Sequence, residues 1–489
     1  MSFDVMREPW IDCVALDGSM VTLGIRELLL RAHELQAVRD ISPLQEYGIY
    51  RLLCVIAMDM LKPRGIGDME ELLEEGRFDE KTVDSYIAFC EKDGPCFDLF
   101  DAQRPFMQDR FEGKEKSVAI LVPEITSGNN HVHFMHKNET EQELSYSQCA
   151  KALCAANIFC WKNGSYPNTV NGDPPIYVLV NETNVYRKLI VNSVPKSAVF
   201  MGYDDPPPMY RNREIVDEAS FSLLSGMTYK IRKIELIEAD KAVRKIKYEG
   251  GAKFRGKDFW RDPYVAYDED EKPIKYKESK ETWRNLAMIF DINGISSPMV
   301  VRQHDNISDD EKVSVTLYWL DIKNNAKYSQ WGKGILSLPK YIMACDWKFD
   351  VVRGCIKKSE EMAEKLKECF AYIDAAIECN KKMTKSERDK IKRKKQSIDM
   401  QYQINPYYNM VHNAIFGELI PKLKEALPSE EEKFRLYTTE IVRKAALESF
   451  NEKCMHTSNT IRMLKIMALA EDYLYHELNK MHLGKRKEQ

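Results

Sequence analysis

Phe97-Asp98-Leu99-Phe100-Asp101-Ala102-Gln103-Arg104-Pro105-Phe106-Met107-Gln108 is the stretch on which the reading of this chain turns. Phe97, Leu99 and Phe100 are apolar anchors. Asp98 and Asp101 form turns, because a short carboxylate accepts hydrogen bonds from amides just ahead of it. A residue before proline is driven out of the helical region, so Arg104-Pro105 keeps the chain extended before Phe106. The physics predicts an aromatic-pinned turn packed on a core. Two further stretches stand with it. One is Glu8-Pro9-Trp10-Ile11. The other is Ser127-Gly128-Asn129-Asn130-His131-Val132-His133-Phe134-Met135-His136-Lys137-Asn138.

The chain has 489 residues, too many for one ordinary core, so two or more domains are expected. Hydrophobic content of 44% and charged content of 30% are those of a soluble globular protein. No apolar run spans a bilayer, and the start of the chain has no signal-peptide pattern, which makes the cytoplasm the expected location and a membrane no partner. Twelve cysteines are scattered without a Cys-x-x-Cys pair. Cys54, Cys149, Cys154, Cys369 and Cys379 sit among apolar neighbours and read as small buried hydrophobes. No disulfide framework, zinc site or cofactor is expected. A net charge of −4 confines any nucleic-acid contact to local patches, or leaves phosphate neutralisation to partners.

The first hundred residues read as mainly helical. Ile25 to Val38 carries a helical period at Leu28, Leu29, Ala32 and Leu35. Ser42-Pro43-Leu44-Gln45 then offers an N-cap, a proline at the first helical position and a capping-box glutamine. Strands are expected at Val118–Val122, Ile176–Val180, Lys230–Ile237 and 313–321, with loops at 201–213 and 268–271. Ser145-Tyr146-Ser147-Gln148 opens another helix as a capping box. After Pro339 the pattern becomes helical throughout, with helices over 340–378, 405–426, 429–454 and 458–483, the third capped at Ser429. The fold class is therefore mixed α/β, an N-terminal α+β domain over 1–338 followed by a C-terminal four-helix bundle over 339–489.

The 127–138 stretch is the richest in chemistry. Its glycine and paired asparagines permit backbone shapes closed to other residues. It presents Phe134 and Met135 among three histidines and a lysine, a set suited to stacking on a base and bonding phosphate. It reads equally as a surface loop with Phe134 tucked into the core. His131, His133 and His136 hint at a metal, but no acid or cysteine completes the set. Lys381 to Lys395 holds nine Lys or Arg against Glu387 and Asp389. That run is a solvated linker or a phosphate contact.

Taken together, the Phe97–Gln108, Glu8–Ile11 and Ser127–Asn130 stretches resemble the large subunit of the type I-E CRISPR surveillance complex Cascade, the CasA family. The resemblance spans essentially the whole chain. It implies a non-catalytic subunit that recognises the protospacer-adjacent motif in double-stranded DNA, assists strand opening and recruits a helicase–nuclease. Its implied partners are CRISPR RNA, target DNA, the other Cascade subunits and that effector. The resemblance also assigns residues. Asn129, Asn130, His133, Phe134, Met135 and His136 anchor the subunit on the guide-RNA handle. Asn163, Gly164 and Ser165 stand where the family has a glycine-rich minor-groove loop, with Gly164 alone surviving of its glycines. Lys253 stands where the family has a lysine that reaches the minor groove, with Lys257 a close competitor for the same role. Asn324, Asn325, Ala326 and Lys327 occupy the wedge, without the family's glutamine. The family's bundle lies along the bound DNA, which makes Lys392, Arg393, Lys394 and Lys395 of the basic run the candidate phosphate contacts, the solvated linker remaining the other reading. The competing readings are a metal-dependent nuclease using the acids at 268–271, and a scaffold subunit that never touches DNA.

Overall fold

The computed structural model describes residues 2–124, 142–159, 169–200, 202–211, 222–251, 260–276, 282–291, 297–307, 311–323, 327–378, 401–457 and 460–483. The chain divides into two compact units. One comprises Met1–Thr282 and Met288–Ser337, the other Trp283–Ala287 and Leu338–Gln489.

The first unit has three small sheets. Strands β1 (Ile11–Ala15), β2 (Met20–Leu23) and β3 (Leu35–Val38) form one, in the order β2-β1-β3. Strands β4 (Glu115–Ser117), β6 (Arg232–Ala239) and β7 (Ala242–Gly250) form the second, in the order β4-β7-β6. Strands β5 (Tyr177–Val180), β8 (Lys312–Lys323) and β9 (Lys327–Pro339) form the third, in the order β5-β8-β9. Its helices include α1 (Ile25–Arg31), α2 (Pro43–Leu61) and α3 (Tyr146–Ala156).

The Phe97–Gln108 stretch is the aromatic-pinned turn its residues predict. Asp98 Oδ1 accepts from the amides of Phe100 (2.9 Å) and Phe3 (3.0 Å). Asp101 Oδ1 accepts from the amides of Gln103 (2.9 Å) and Arg104 (2.5 Å). Phe97, Leu99 and Phe106 are buried. The turn is sewn to the start of the chain, with Val5 N donating to Phe97 O and Leu99 N to Phe3 O. Trp10, also buried, donates its indole N–H to Val5 O at 2.8 Å. Gln108 closes the far side: its Nε2 donates to Leu99 O and its Oε1 accepts from Leu236 N, both at 2.8 Å. That buried amide welds the turn to β6.

Helix α2 is the axis of this unit. Ser42 caps it, accepting from the Gln45 amide at 3.1 Å. The reciprocal half of the box is made by a different residue, since the Ser42 amide donates to Asp40 Oδ1 at 2.9 Å. Fifteen of its nineteen residues are buried, so it is a core helix rather than an amphipathic surface one. A Cβ on Gly48 would lie 2.7 Å from the Cys154 carbonyl carbon. Helices α2 and α3 thus touch backbone to backbone, and only glycine fits. Cys54, Cys149, Cys154 and Cys369 are buried, and burial pushes the Cys54 and Cys149 thiols up to about 12.

Four local expectations give way to tertiary demands. Ile25 to Val38 is helical only to Arg31. Ala32–Glu34 is a 3-10 turn, and Leu35–Val38 is drawn into pairing with β1. Val118–Val122 is no strand: β4 ends at Ser117, whose hydroxyl accepts from Ala119 N at 3.3 Å and starts a 3-10 turn that buries Val118 and Leu121. The strand expected over Lys230–Ile237 begins at Arg232 and reaches Ala239. Ser429 is not a cap. It lies inside a 3-10 turn, Pro428–Glu430, where the Glu430 carboxylate accepts from Leu427 N at 3.2 Å, and the helix starts at Glu431.

The second unit is a helical bundle. Its long helices are Asp346–Glu378, Gln401–Ala414, Glu431–Met455 and Ile461–Leu483. Polar ties set their directions. Lys358 donates to Thr438 (2.9 Å) and Thr439 (2.8 Å), and Lys453 pairs with Asp374 at 2.6 Å. Advancing together, those contacts make Asp346–Glu378 and Glu431–Met455 parallel. Tyr473 bonds Glu368 at 2.6 Å and Lys365 faces Glu477 at 3.8 Å, so Ile461–Leu483 runs antiparallel to the first helix. The second long helix continues through a π turn, Ile415–Leu419, two residues ahead of Pro421, which lacks the amide an α ladder needs.

A buried charge pair of the first unit joins α2 to a residue far along the chain. Arg51 Nη2 lies 2.8 Å from Asp262 Oδ2, with the two side chains 4% and 0% exposed. Removing one member strands the other in the core, which costs about 3–5 kcal/mol. Asp262→Ala is therefore expected to lower stability by that amount in urea denaturation. The double variant Arg51→Met, Asp262→Leu is expected to recover most of the loss.

Candidate nucleic-acid interface

Strands β8 and β9 are sheet neighbours joined by three residues, so they form a hairpin. β5 pairs with β8 only from Val315 to Tyr318. From Trp319 to Lys323 the hairpin runs on past the end of β5, five residues at about 3.3 Å each, or some 17 Å.

The base of this ribbon is fixed to α2. Tyr318 donates to Glu46 Oε1 at 2.9 Å, and Lys333 Nζ bonds both Glu46 oxygens at 2.7 Å. The opposite face carries an aromatic stack. Tyr276 and Trp319 are parallel within 7°, their centroids 4.8 Å apart, and Tyr276 O–H donates to Gln330 Oε1 at 2.9 Å. Trp319 lies flat on β9 because position 332 is glycine: a Cβ there would sit 3.0 Å from Trp319 Cζ2.

Residues 324–326, which hold Asn324, Asn325 and Ala326, lie outside the described residues. Lys327 is the first residue of β9. Also outside the described residues are Asn129, Asn130, His133, Phe134, Met135 and His136, together with Asn163, Gly164 and Ser165, Lys253, and Lys392, Arg393, Lys394 and Lys395. The histidines His131, His133 and His136 fall there too, as does Cys379.

What the structure brings together is the framework from which those segments spring. Thr169 and Gly172, which follow the segment 160–168, exchange both backbone hydrogen bonds, at 2.7 and 3.0 Å. Inside that turn Asn171 Oδ1 accepts from Trp260 Nε1 at 2.9 Å, and Trp260 directly follows the segment 252–259. The Asn171 amide nitrogen donates in turn to Asp262 Oδ2 at 3.1 Å. The flanks of the Gly164 and Lys253 segments are therefore bonded to each other and to the Arg51–Asp262 pair. Asn171, Trp260, Tyr276, Trp319, Gln330 and Gly332 escaped the sequence reading. Trp319 lies within the strand expected over 313–321, but its partner lies 43 positions earlier (319 against 276) and no local pattern pairs them.

The segment 125–141 departs from Glu124 and rejoins at Leu144, which exchanges backbone hydrogen bonds with Val243 at 2.9 Å in both directions. The Ser42 hydroxyl donates to Glu124 Oε1, while Glu124 Oε2 is buried without a hydrogen-bond partner among the described residues. Burial pushes the Glu124 carboxyl above its ordinary value, the Ser42 bond opposes this, and the Asp40 carboxylate adds to the rise. Ser145 completes the rejoining end with the predicted capping box, bonding Gln148 reciprocally at 2.9 and 3.3 Å. Among the described residues no group of three or more His, Cys, Asp or Glu side chains is arranged to hold a metal ion. Nor is any helix among them long and apolar enough to cross a membrane.

A mixed α/β unit carrying a hairpin beyond its sheet, with a helical bundle as a second unit, is an architecture that known proteins share. Residues 4–446 match the family model described as CRISPR-associated protein Cse1, and the chain belongs to that family. Its members, also called CasA, are the large subunits of CRISPR surveillance complexes. A CasA/Cse1 protein of Thermus thermophilus is 26% identical over 405 residues, covering 77% of this chain and 78% of its own. The crystal structure of Thermus thermophilus CasA superposes with a TM-score of 0.77 at 20% identity, over 98% of this chain and 100% of the other. Thermobifida fusca Cse1 gives 0.73 at 16% identity, over 98% and 97%. A chain of a CRISPR RNA-guided surveillance complex gives 0.74 at 17% identity, over 97% and 99%.

Glu124 yields a prediction with a definite sign. An acid whose folded pKa is raised penalises the folded state once ionised, and the penalty vanishes as pH falls below the ordinary carboxylate value near 4.5. Glu124→Gln keeps the acceptor for Ser42 and removes the charge. Its thermal midpoint is expected to exceed that of the parent at pH 7, with the difference shrinking toward zero below about pH 4.5.

Proposed function

We propose that the chain acts as the non-catalytic large subunit of a type I-E CRISPR RNA-guided complex. There it reads the protospacer-adjacent motif, helps part the strands and offers a docking face to a helicase–nuclease. In this reading base pairing with the guide reads the target sequence, and the protein reads a short duplex beside it. Its partners are CRISPR RNA, double-stranded target DNA, the other Cascade subunits and the helicase–nuclease effector.

The observation that carries the proposal is the β8–β9 ribbon. A two-stranded ribbon leaving its sheet is a shape that can enter a groove, and its end falls at Asn324, Asn325, Ala326 and Lys327, the wedge positions. An asparagine there bonds a base edge but reaches less far into the stack than glutamine does. The Gly164 segment, with Asn163 and Ser165, and Lys253 would face the minor groove, whose degenerate pattern makes the motif tolerant. That their flanks share one hydrogen-bonded anchor supports joint action. Asn129, Asn130, His133, Phe134, Met135 and His136 would hold the RNA handle. Lys392, Arg393, Lys394 and Lys395, within the domain over 339–489, would meet phosphates.

The nuclease alternative finds little in the acids at 268–271. Asp268 Oδ1 accepts from the amides of Asp270 (3.0 Å) and Lys272 (2.9 Å), so it braces its own turn. Asp270 pairs with Lys272 and Glu271 with Arg261, each at 3.0 Å.

Binding of linear targets by the assembled complex tests the reading. Asn325→Ala is expected to weaken binding to a fully paired duplex by about tenfold, one lost base-edge contact. The defect should shrink on a target already mismatched beside the motif. Lys253→Ala is expected to weaken both targets alike and to reduce the salt slope by about one. Equal losses on both targets for Asn325→Ala would reduce that residue to a turn former, and unaltered binding for both variants would favour the scaffold.

Phe134→Ala addresses the RNA handle. Co-purification with the other subunits is expected to fall while the melting temperature of the free chain stays near that of the parent. A parallel drop in both would mark Phe134 as a core residue.

A further inference from the structure

A two-stranded ribbon without a third strand is marginal in water. The five residues of β8 beyond Tyr318 are in that position, since β5 stops at Tyr177, the partner of Tyr318. A ribbon that must push into a base stack needs stiffness from another source. One of its faces has Glu46, bonded to Tyr318 and Lys333, but that contact lies at the root. Further out the bracing is aromatic. Trp319 is clamped between Gly332 on β9 and the ring of Tyr276, and Tyr276 is bonded across to Gln330 on β9.

The chain feeding Tyr276 is itself held rigidly. Ile274 N donates to Ala266 O at 2.9 Å and Ile274 O accepts from Ile176 N at 2.8 Å. Val178 N donates to Tyr264 O at 2.8 Å, and Tyr264 N donates to Asp262 Oδ1 at 3.1 Å. Tyr276 thus lies two residues beyond the last of these bonds, on a strap that begins at the buried Arg51–Asp262 pair. The same pair anchors Asn171 and, through it, the flanks of the Gly164 and Lys253 segments.

We propose that the Tyr276–Trp319 stack, seated on Gly332 and tied to Gln330, is a splint. It sets the angle of the β8–β9 ribbon relative to the Asn171–Trp260 anchor, so that the hairpin end and the minor-groove segments address one duplex together. Tyr276 and Trp319 are positioning residues: they touch no base and act through the hairpin. This inference rests on the reading of the β8–β9 hairpin as the wedge.

The experiment uses the complete surveillance complex rebuilt with variant chains. Binding is measured on a fully paired linear target and on the same target mismatched beside the motif. Trp319→Ala and Tyr276→Ala are each expected to lose about two- to tenfold on the paired target, the range of one aromatic pair. Both are expected to stay within about twofold of the parent on the mismatched one, where opening costs nothing. Tyr276→Phe keeps the ring and gives up the Gln330 bond, and it should rescue most of the loss. Subunit incorporation is measured alongside. Tyr276, partly exposed, provides the variant that keeps the test alive if Trp319→Ala fails to assemble.

Equal losses on both targets, or no loss for either alanine variant, overturn the splint. The two proposals fail separately. Selective loss for Asn325→Ala without loss at 276 and 319 leaves the wedge standing and removes its brace. Selective loss at 276 and 319 without loss for Asn325→Ala keeps the splint and moves the opening residue elsewhere on the hairpin.

Discussion

The Arg51 guanidinium, placed in the middle of a buried helix, is the constraint around which the first unit is arranged. A cation in that position is tolerable only if every donor finds an acceptor. Arg51 meets the demand with Asp262, with the Met227 carbonyl at 2.8 Å and with the Tyr47 hydroxyl at 3.1 Å. Its Cζ also lies 5.7 and 5.6 Å from the ring centroids of Tyr177 and Tyr264. Asp262 in turn takes the Tyr264 amide and the Asn171 side chain. One buried charge thereby fixes the relative positions of α2, the Thr169–Gly172 turn, β5 and the strap leading to Tyr276.

That arrangement concerns function because the segments proposed to meet nucleic acid are attached to it. The flanks of two of them are tied at Asn171 and Trp260. The hairpin is rooted through Glu46, five residues before Arg51 on α2, and braced through Tyr276. A chain with net charge −4 cannot rely on a general attraction to DNA. Accurate placement of a few contacts on a rigid base is the physical substitute, and a buried helix crossed by hydrogen-bonded partners is such a base.

The division of labour between motifs follows the same logic. The Phe97–Gln108 turn, the most specific stretch of sequence, has no polar site of its own. It joins the beginning of the chain to β6 through Gln108. Its specificity is that of a joint, where each of Asp98, Asp101 and Gln108 has a required hydrogen bond. The longer amide at 108 spans Leu99 and Leu236, which a shorter one would not bridge.

What the sequence determined by itself is whatever depends on residues close in the chain. The caps at Ser42 and Ser145, the turn at Asp98 and Asp101, the strand over 313–321 and the long C-terminal helices all follow from spacing within one or two turns. The family was legible for the same reason, since its signature stretches are contiguous. The tertiary structure decided the rest. A helical period at Leu35 lost to pairing with β1, and Ser429 lost its cap to a tighter turn before Glu431. Arg51 met Asp262 across 211 positions, and Trp319 met Tyr276 and Gly332 from different strands and a loop. Such meetings depend on which surfaces come together when the core closes, and a local pattern holds no record of a neighbour that arrives from elsewhere in the chain.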